Sequence, residues 1–272
     1  MRSNVPESIL LYGEDKLLSN TMPPSSIPDP FPVLETPFVR QTNDAGDYVL
    51  TPSRKGKFNW VFDDAENVRA VEYLDGSTAA VKIANGSVQT AYTPMGEDPM
   101  QPVEPYGNRN HHFVTRAIQN TIHRGYFDGY DDGIYYGIVI GPDFGGKQIG
   151  TPNPHELTNR LFVPFKWARR KLTYETYGEY GTDYDAISDW FREGLFSLFA
   201  NKFHNEPIEE VRDSRYVYGV LFFKPDYETT GLQTAEMKRR GETYTVARNV
   251  VQLRRDMFPW FDATEAAKVV QT

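Results

Sequence analysis

Short runs of alternating apolar and polar residues dominate the first half of the chain. Gly56–Asp63 and Val68–Lys82 have this alternation and are interrupted by turn residues, as short strands are. The dipeptide Asn85-Gly86 predicts a tight hairpin that leads into a further strand at Ser87–Tyr92. We therefore expect mostly antiparallel β structure in this half of the chain.

Two segments have the apolar spacing of an amphipathic helix instead. They are Phe113–Arg124 and the longer Asp183–Phe203, which begins with an aspartate and ends before Pro207. Apolar runs predict further strands at Tyr135–Ile140, Leu161–Phe165, Lys171–Tyr177, Tyr216–Phe223 and Tyr244–Leu253, and a C-terminal helix at Phe258–Val270. The order of these elements predicts an α+β fold that is mainly antiparallel.

Prolines set the N-terminal part of the chain apart. Six of them fall between Asn20 and Pro37, a density that neither a helix nor a central strand tolerates, so this stretch is predicted to be an extended arm. The 272 residues suffice for one substantial core. We therefore expect a Pro-rich arm and lead-in over residues 1–55 and one main domain over residues 56–272.

Charge and composition restrict the class of partner. The formal net charge is -8, so a nucleic-acid backbone would be attracted only by a local basic patch. The chain has no cysteine, which excludes disulfides, thiolate zinc sites and thiol nucleophiles. Met1–Ser8 is too polar for a signal peptide, and no apolar run reaches the ~18 residues of a membrane helix. A soluble, cytoplasmic protein with no membrane partner is expected.

The segment Glu72–Ser77 carries the most specific motif of the chain. Its Tyr73-Leu74-Asp75-Gly76 lies between two predicted strands, where ligases and capping enzymes have Lys-x-Asp-Gly and the Lys attacks a nucleotide α-phosphate. Four later segments continue this similarity in the same order, namely Gly133–Pro142, Asn153–Phe165, Val217–Phe222 and Val251–Trp260. From Asn59 to Phe261 the chain therefore resembles the ATP-dependent RNA ligases of phages and bacteria.

This resemblance implies a nucleotidyltransferase fold, in which two mainly antiparallel sheets with flanking helices surround a nucleotide cleft. It also implies that residues 56–272 form an RNA ligase-like domain. The positions that it assigns to the cleft are Tyr73, Asp75, Gly76, Ile138, Tyr218, Gln252 and Arg254. Lys82, farther along the strand that follows the motif, is expected on the strand face that points away from the cleft.

Four of the cleft positions depart from the chemistry of the family. The nucleophilic Lys falls on Tyr73, and the ribose-binding Glu falls on Ile138. The metal-linked Glu falls on Tyr218, and a phosphate-binding Lys falls on Gln252. A phenol is mostly protonated at neutral pH, Ile accepts no hydrogen bond, Tyr offers Mg²⁺ no carboxylate, and Gln neutralises no phosphate charge. Because Asp75 is retained beside these losses, the pattern predicts a scaffold without ligase chemistry, and no catalytic residue is assigned.

The densest basic run of the chain interleaves a tryptophan and consists of Lys166, Trp167, Arg169, Arg170 and Lys171. Such a run is typical of a nucleic-acid contact and equally typical of a solvated charged segment. Farther upstream, His111 and His112 follow a Pro-rich loop. Adjacent side chains point in different directions, so a polar helix start is favoured over a metal site.

Three functions stay open. The first is a catalytically inactive RNA ligase-like protein, a pseudoenzyme without cofactor or metal, with a binding or structural role and a protein partner. A phage particle is one such assembly, and the location would then be the host cytoplasm or the virion. The second is an active ligase with ATP, Mg²⁺ and a relocated Lys that faces Asp75. The third is a binder of RNA or nucleotide without turnover. A different α+β fold in another register is the competing interpretation of all three.

Overall fold

The computed structural model describes residues 27–94, 100–141, 144, 160–175, 177, 182–204, 217–239 and 241–261. Its strands are β1 (Phe38–Thr42), β2 (Tyr48–Arg54), β3 (Arg69–Tyr73), β4 (Ser77–Ala84), β5 (Ser87–Pro94), β6 (Met100–Pro102), β7 (Gly133–Ile140), β8 (Leu161–Pro164), β9 (Thr173–Tyr174), β10 (Gly219–Phe223), β11 (Thr234–Arg239), β12 (Glu242–Ala247) and β13 (Val250–Arg254). Its helices are α1 (Trp60–Asp63), α2 (Arg109–His123), α3 (Phe165–Lys171), α4 (Tyr184–Asp189), α5 (Leu198–His204) and α6 (Tyr227–Thr230), with 3-10 turns at Gly56–Phe58 and Arg255–Met257 and a π-helical turn at Trp190–Gly194.

Two antiparallel sheets make up most of this architecture. The four-stranded sheet has the order β13-β10-β3-β9, and the five-stranded sheet has the order β6-β5-β4-β7-β8. The hairpins β1-β2 and β11-β12 are separate from both sheets. The expected α+β class with mainly antiparallel sheets is confirmed.

The two sheets pack on each other through a shared apolar core, which we call the inter-sheet core. Leu221 and Phe223 of β10 enter it from the four-stranded sheet, and Ile138 and Ile140 of β7 enter it from the five-stranded sheet. Side chains alternate along a strand, so the remaining residues of β10 face a second core that includes residues of α4 and of the π-helical turn. Both faces of the four-stranded sheet are therefore covered.

Helix α2 covers the outer face of the five-stranded sheet. Val114, Ala117 and Ile118 lie on one side of the helix and pack against Val139 of β7. This confirms the amphipathic helix predicted in this region. The hairpin between β4 and β5 is also confirmed, and Asn85 at its tip has the positive φ of 52° that such a turn requires.

The segment Gly56–Asp63 is helical, and its assignment as a strand was wrong. Phe58, Val61 and Phe62 are all buried in the same core. Their spacing of three and four residues is that of one helical face, which the short alternation in the sequence concealed.

The long helix predicted over Asp183–Phe203 is broken into α4, the π-helical turn and α5, so a single helix was wrong. Between the turn and α5 the chain is extended, and Leu195 has φ −89° and ψ 117°. This break lets Ser197 and Phe199 reach Glu72 of β3. The Ser197 hydroxyl and the Phe199 backbone N–H each donate a 2.7 Å hydrogen bond to the Glu72 carboxylate.

The single strand predicted over Tyr244–Leu253 is two strands, β12 and β13. The chain turns between them at Asn249, whose side chain is buried. The Asn249 amide oxygen accepts a 2.9 Å hydrogen bond from the Gln233 N–H, and its amide nitrogen donates a 2.6 Å hydrogen bond to the Gly231 carbonyl. One buried side chain therefore holds the turn, which apolar periodicity does not predict.

The remaining differences concern the ends of elements and the strands that the sequence did not predict. Of the strand predicted at Lys171–Tyr177, the part that pairs is β9. Strands β1, β2, β6 and β11 were not predicted, although Phe38 and Leu50 of the first hairpin belong to the same core as the four-stranded sheet. In the predicted C-terminal helix, Phe258–Phe261 form a turn and residues 262–270 lie outside the described residues. The domain boundary at residue 55 stays a prediction.

Across the described ranges, no helix combines the length and the apolar character that crossing a membrane requires.

Replacing Glu72 tests the buried contact between β3 and α5. The Glu72 side chain is 2% exposed and accepts hydrogen bonds from two donors. We expect Glu72→Ala to lower the free energy of unfolding by about 3 kcal/mol, because two buried donors lose their charged acceptor. Urea denaturation followed by tryptophan fluorescence measures this change. Glu236→Ala, at an exposed position of β11, is the control and should change stability by less than about 0.5 kcal/mol; equal effects of both changes would refute the role of Glu72.

Candidate functional site

The predicted motif lies where the chain passes from one sheet to the other. Strand β3 ends at Tyr73 in the four-stranded sheet, and β4 begins at Ser77 in the five-stranded sheet. Leu74, Asp75 and Gly76 make up the whole connection. The motif therefore lies at one end of the inter-sheet core, and we call the region between the sheets at this end the cleft.

Three neighbouring strands bring the predicted cleft residues into one row. In the sheet register, Gly219 of β10 lies opposite Tyr73 of β3 on one side and opposite Arg254 of β13 on the other. Gly219 has no side chain, and the ring of the preceding Tyr218 lies 5.4 Å from the Tyr73 ring, centroid to centroid. The Arg254 guanidinium carbon lies 5.7 Å from the Tyr218 ring centroid. Tyr218 thus contacts both of its neighbours in the row.

Hydrogen bonds fix the guanidinium of Arg254 at this place. Its Nη1 donates a 3.2 Å hydrogen bond to the Tyr218 hydroxyl, while its Nε and Nη2 donate hydrogen bonds of 3.1 and 3.0 Å to the two carboxylate oxygens of Asp256. This bidentate geometry is the strongest common form of an arginine–carboxylate pair. Burial alone would lower the pKa of Arg254, but Asp256 and the two tyrosines outweigh it, so the pKa is raised and the side chain stays a cation.

Both tyrosines of the row are neutral at physiological pH. Burial raises the pKa of Tyr73 and that of Tyr218, and the positive charge of Arg254 offsets only part of this effect. The carboxylate of Asp75 raises both pKa values further. A buried, protonated phenol is a poor nucleophile, because the reactive phenolate is not populated.

Ile138 is part of the packing between the sheets. It is 3% exposed, and it lies opposite Thr78 in the pairing of β7 with β4. A Cβ atom built on Gly76 would lie 2.6 Å from the Ile138 Cγ2 and would also run into the backbone oxygen of Val139. The position expected to contact a ribose is thus an apolar wall against which the motif glycine packs closely. The glycine has a steric reason to be there that does not depend on any chemistry.

Gln252 binds the N-terminal segment of the chain. Its side-chain nitrogen donates a 2.8 Å hydrogen bond to the Leu34 carbonyl, and its backbone N–H donates a 2.9 Å hydrogen bond to the Glu35 carbonyl. The position expected to contact a phosphate is therefore engaged with main-chain carbonyls. An amide is suited to this contact, because its NH₂ group donates to a carbonyl without a charge to desolvate.

The predicted direction of Lys82 was wrong. Lys82 lies opposite Ile134 in the same β4–β7 pairing that sets Thr78 opposite Ile138. Residues an even number of positions apart on a strand share a face, so Lys82 is on the same face as Thr78 and Ile138. It lies four residues farther along β4 than Thr78, at the end of the pairing that is remote from the motif.

The basic run forms most of α3, and its side chains have intramolecular partners. The Trp167 ring stacks on Tyr126 with a centroid distance of 4.0 Å and an interplanar angle of 13°. Lys166 lies 3.9 Å from an Asp131 carboxylate oxygen, and Arg169 donates a 3.1 Å hydrogen bond to Glu228.

The last two residues of the run, Arg170 and Lys171, are exposed at the C-terminal end of α3. Cations there are favoured by the helix dipole, which gives the charges a structural explanation. The nucleic-acid contact stays a prediction.

His111 and His112 lie in the first turn of α2, as the polar helix start predicted. The Asn108 side chain caps the helix by accepting a 3.1 Å hydrogen bond from the His111 backbone N–H. The buried His111 ring accepts a 3.1 Å hydrogen bond from the Glu104 N–H through its Nδ1. In the part of the chain that the structure describes, no three His, Asp or Glu side chains are grouped to hold a metal ion.

Comparison with known proteins leaves the family of this chain open. No protein-family model matches the chain, and no curated protein matches it. The similarity to RNA ligases therefore rests on the motifs alone.

Two residues at the cleft, Asp256 and Phe31, were not predicted from the sequence. Asp256 follows Arg254 by two residues, and its role as the partner of Arg254 becomes visible only when the chain turns back after β13. Phe31 contacts Tyr136 of β7 at a ring distance of 5.4 Å. The sequence signal for that contact was an aromatic residue between two prolines, because a proline-rich segment is extended and can lie along a surface.

Substitution of the motif glycine tests the close packing of the two sheets. We expect Gly76→Ala to lower the free energy of unfolding by about 1–3 kcal/mol, because its Cβ would overlap the Val139 carbonyl and Ile138. Chemical denaturation is the measurement. Gly56→Ala is the matched control, since a Cβ atom there meets nothing within 4 Å, and we expect a change below about 0.5 kcal/mol. If Gly76→Ala is as stable as the control, the sheets are not held together at this point.

Proposed function

We propose that this chain is a catalytically inactive protein on an RNA ligase-like nucleotidyltransferase scaffold, with a binding or structural role. One observation carries the proposal. The residue at the nucleophile position, Tyr73, packs against the residue at the metal-ligand position, Tyr218, with their ring centroids 5.4 Å apart. The two positions where the ligase chemistry needs an amine and a carboxylate thus hold a pair of neutral aromatic side chains.

Such a pair stabilises the fold but does not support nucleotidyl transfer. An aromatic contact contributes about 0.5–1.5 kcal/mol beyond the area that it buries. Loss of the nucleophile and of the metal ligand removes both the attacking group and the cation that would balance the developing phosphate charge. The remaining cation of the row, Arg254, is already paired with Asp256. The cleft is therefore better suited to packing against a partner than to catalysis.

A protein partner follows from this proposal, and no cofactor is needed for it. An assembly such as a phage particle agrees with the class of ligase that the motifs resemble. The alternative, an active ligase with ATP and Mg²⁺, needs a relocated lysine. Lys82 is the candidate to test, because it shares a strand face with Ile138.

A covalent labelling assay separates the two functions. The purified chain is incubated with Mg²⁺ and ATP or GTP labelled at the α-phosphate, beside an active RNA ligase as the positive control. We expect no acid-labile label on this chain, because a protonated phenol forms no lysine-type phosphoramidate. Label that appears in the wild type and disappears in Lys82→Ala would overturn the proposal and identify the nucleophile. Label that persists in Lys82→Ala would also overturn the proposal and would indicate that another lysine is the nucleophile.

Binding of RNA without turnover is tested by salt titration. Single-stranded RNA is titrated into the wild type and into Arg170→Ala/Lys171→Ala across a range of salt concentrations. If α3 binds phosphates, affinity falls with rising salt and the double variant shows a shallower slope. We expect no salt-dependent binding, in agreement with the formal net charge of -8.

A further inference from the structure

A short segment of the N-terminal arm, Asp29–Glu35, crosses from the five-stranded sheet to the strands β12 and β13. We call it the arm segment. At its start, the Tyr136 hydroxyl of β7 donates a 2.7 Å hydrogen bond to the Asp29 carbonyl. At its end, the Gln252 backbone N–H of β13 donates to the Glu35 carbonyl at 2.9 Å. The described part of the predicted extended arm therefore lies on its own domain.

The middle of the arm segment pairs like a strand. Val33 forms a parallel bridge with Val246 of β12. The Val33 N–H donates a 2.9 Å hydrogen bond to the Thr245 carbonyl, and the Ala247 N–H donates a 3.1 Å hydrogen bond to the Val33 carbonyl. Main-chain pairing of this kind is how extended peptides add to a sheet edge.

Two apolar side chains of the arm segment, Phe31 and Leu34, pack against the inter-sheet core. The Phe31 ring lies 5.4 Å from the Tyr136 ring and 4.9 Å from the Phe165 ring. Val33 points the other way and is 51% exposed. The arm segment therefore makes apolar contacts through two side chains three positions apart, and its backbone forms hydrogen bonds with the domain.

Ionic contacts fix the C-terminal end of the arm segment, at Glu35. The Glu35 carboxylate accepts a short hydrogen bond from the Lys57 amine and lies 3.6 Å from the Lys55 amine. Both lysines belong to the segment that follows β2. The arm segment is thus fixed at its start by Tyr136, in its middle by β12, and at its end by Gln252 and this ion pair.

We propose that the cleft is a binding site for an extended peptide with an aromatic residue three positions before an aliphatic one, and that its occupant is the arm segment of the same chain. Gln252 and Tyr136 recognise the peptide backbone, and the pocket between Tyr136 and Phe165 takes the aromatic ring. Any other ligand of the cleft, including a nucleotide, has to displace the arm segment. Gln252, at a position where the ligase resemblance implies a phosphate contact, is a peptide contact in this site.

The hydrogen bond from Tyr136 to the arm segment depends on pH. Burial, and then the charge of Asp29, raise the pKa of Tyr136 to about 12. Its hydroxyl donates to the Asp29 carbonyl only while it is protonated. Because the pKa is higher with the arm docked than in the unfolded chain, this contribution is complete below about pH 10 and is lost as the pH rises towards 12.

Amide hydrogen exchange on the full chain tests the proposal. The Ala247 and Gln252 amides belong to the domain but donate to the arm segment, so their exchange reports whether the arm is docked. We expect Phe31→Ala to speed their exchange about tenfold or more, because an aromatic anchor is lost. The Leu221 amide of the central strand β10 is the internal control and should not change.

A peptide added in trans completes the test. The peptide of residues 27–37 should restore slow exchange of Ala247 and Gln252 in the Phe31→Ala chain, and the same peptide with Phe31→Ala should not. Unchanged exchange in the variant, or no effect of the wild-type peptide, would overturn the proposal. If Leu221 also exchanges faster, the milder Tyr136→Phe variant, which removes one hydroxyl, replaces Phe31→Ala. Faster exchange of Ala247 and Gln252 with unchanged exchange of Leu221 then supports the proposal, and unchanged exchange of all three amides overturns it.

This inference deepens the binding role proposed above and rests on it only for the statement that the cleft carries out no chemistry. The proposed inactivity and the proposed peptide site can each be refuted without refuting the other. Covalent labelling of the chain would refute inactivity and leave the exchange result untouched. Exchange that is insensitive to Phe31 would refute the peptide site and leave the labelling result untouched.

Discussion

The connection between β3 and β4 is three residues long, and it joins two different sheets. Such a short link brings the ends of the two sheets into contact, and the absence of a side chain at Gly76 lets the loop lie directly on Val139 and Ile138 of β7. The inter-sheet core depends on this close approach, since β7 and β10 contribute its central side chains. The same approach fixes where Tyr73 and Asp75 lie, so packing and the candidate site share one cause.

At the cleft, packing and hydrogen bonding use groups that the sequence motifs would assign to catalysis. Tyr73 and Tyr218 are in ring contact, and Arg254 is held between Tyr218 and Asp256. Arg254, Asp256 and the Tyr218 hydroxyl thus have partners within the protein, which is the condition for burying such groups at little cost. This arrangement agrees with a binding role, and the likeness to RNA ligases stays a proposal carried by the motifs.

The arm segment gives the cleft an occupant from the same chain. Its docking combines backbone pairing on β12 and β13 with the aromatic contacts of Phe31, so affinity and selectivity come from different atoms. Because the segment is covalently attached, its effective concentration at the cleft is far above that of a free ligand. A partner that competes for the cleft therefore needs either strong binding or a means of releasing the arm.

The sequence by itself determined the class of the fold, several of its strands and the tight turn between β4 and β5. Alternation predicted β3 and β4, an apolar run predicted β7, the Asn85-Gly86 pair predicted its hairpin, and the order of elements predicted mainly antiparallel sheets. These features are local, because the period of apolar residues and the φ preferences of turn residues act over a few positions. The same local rules failed at Gly56–Asp63 and at the broken helix before Phe199, where a buried core and the carboxylate of Glu72 overrode them.

Tertiary structure alone decided what the candidate site is made of. From the sequence, Tyr73, Tyr218 and Gln252 were separate departures from a motif set, and Arg254 was a retained position. The sequence did not show that Tyr73 and Tyr218 pack together. It did not reveal that Gln252 binds Leu34, which lies 218 residues away along the chain. Contacts over such distances depend on strand order and sheet packing, which bring remote residues to one point and which no short pattern of residues encodes.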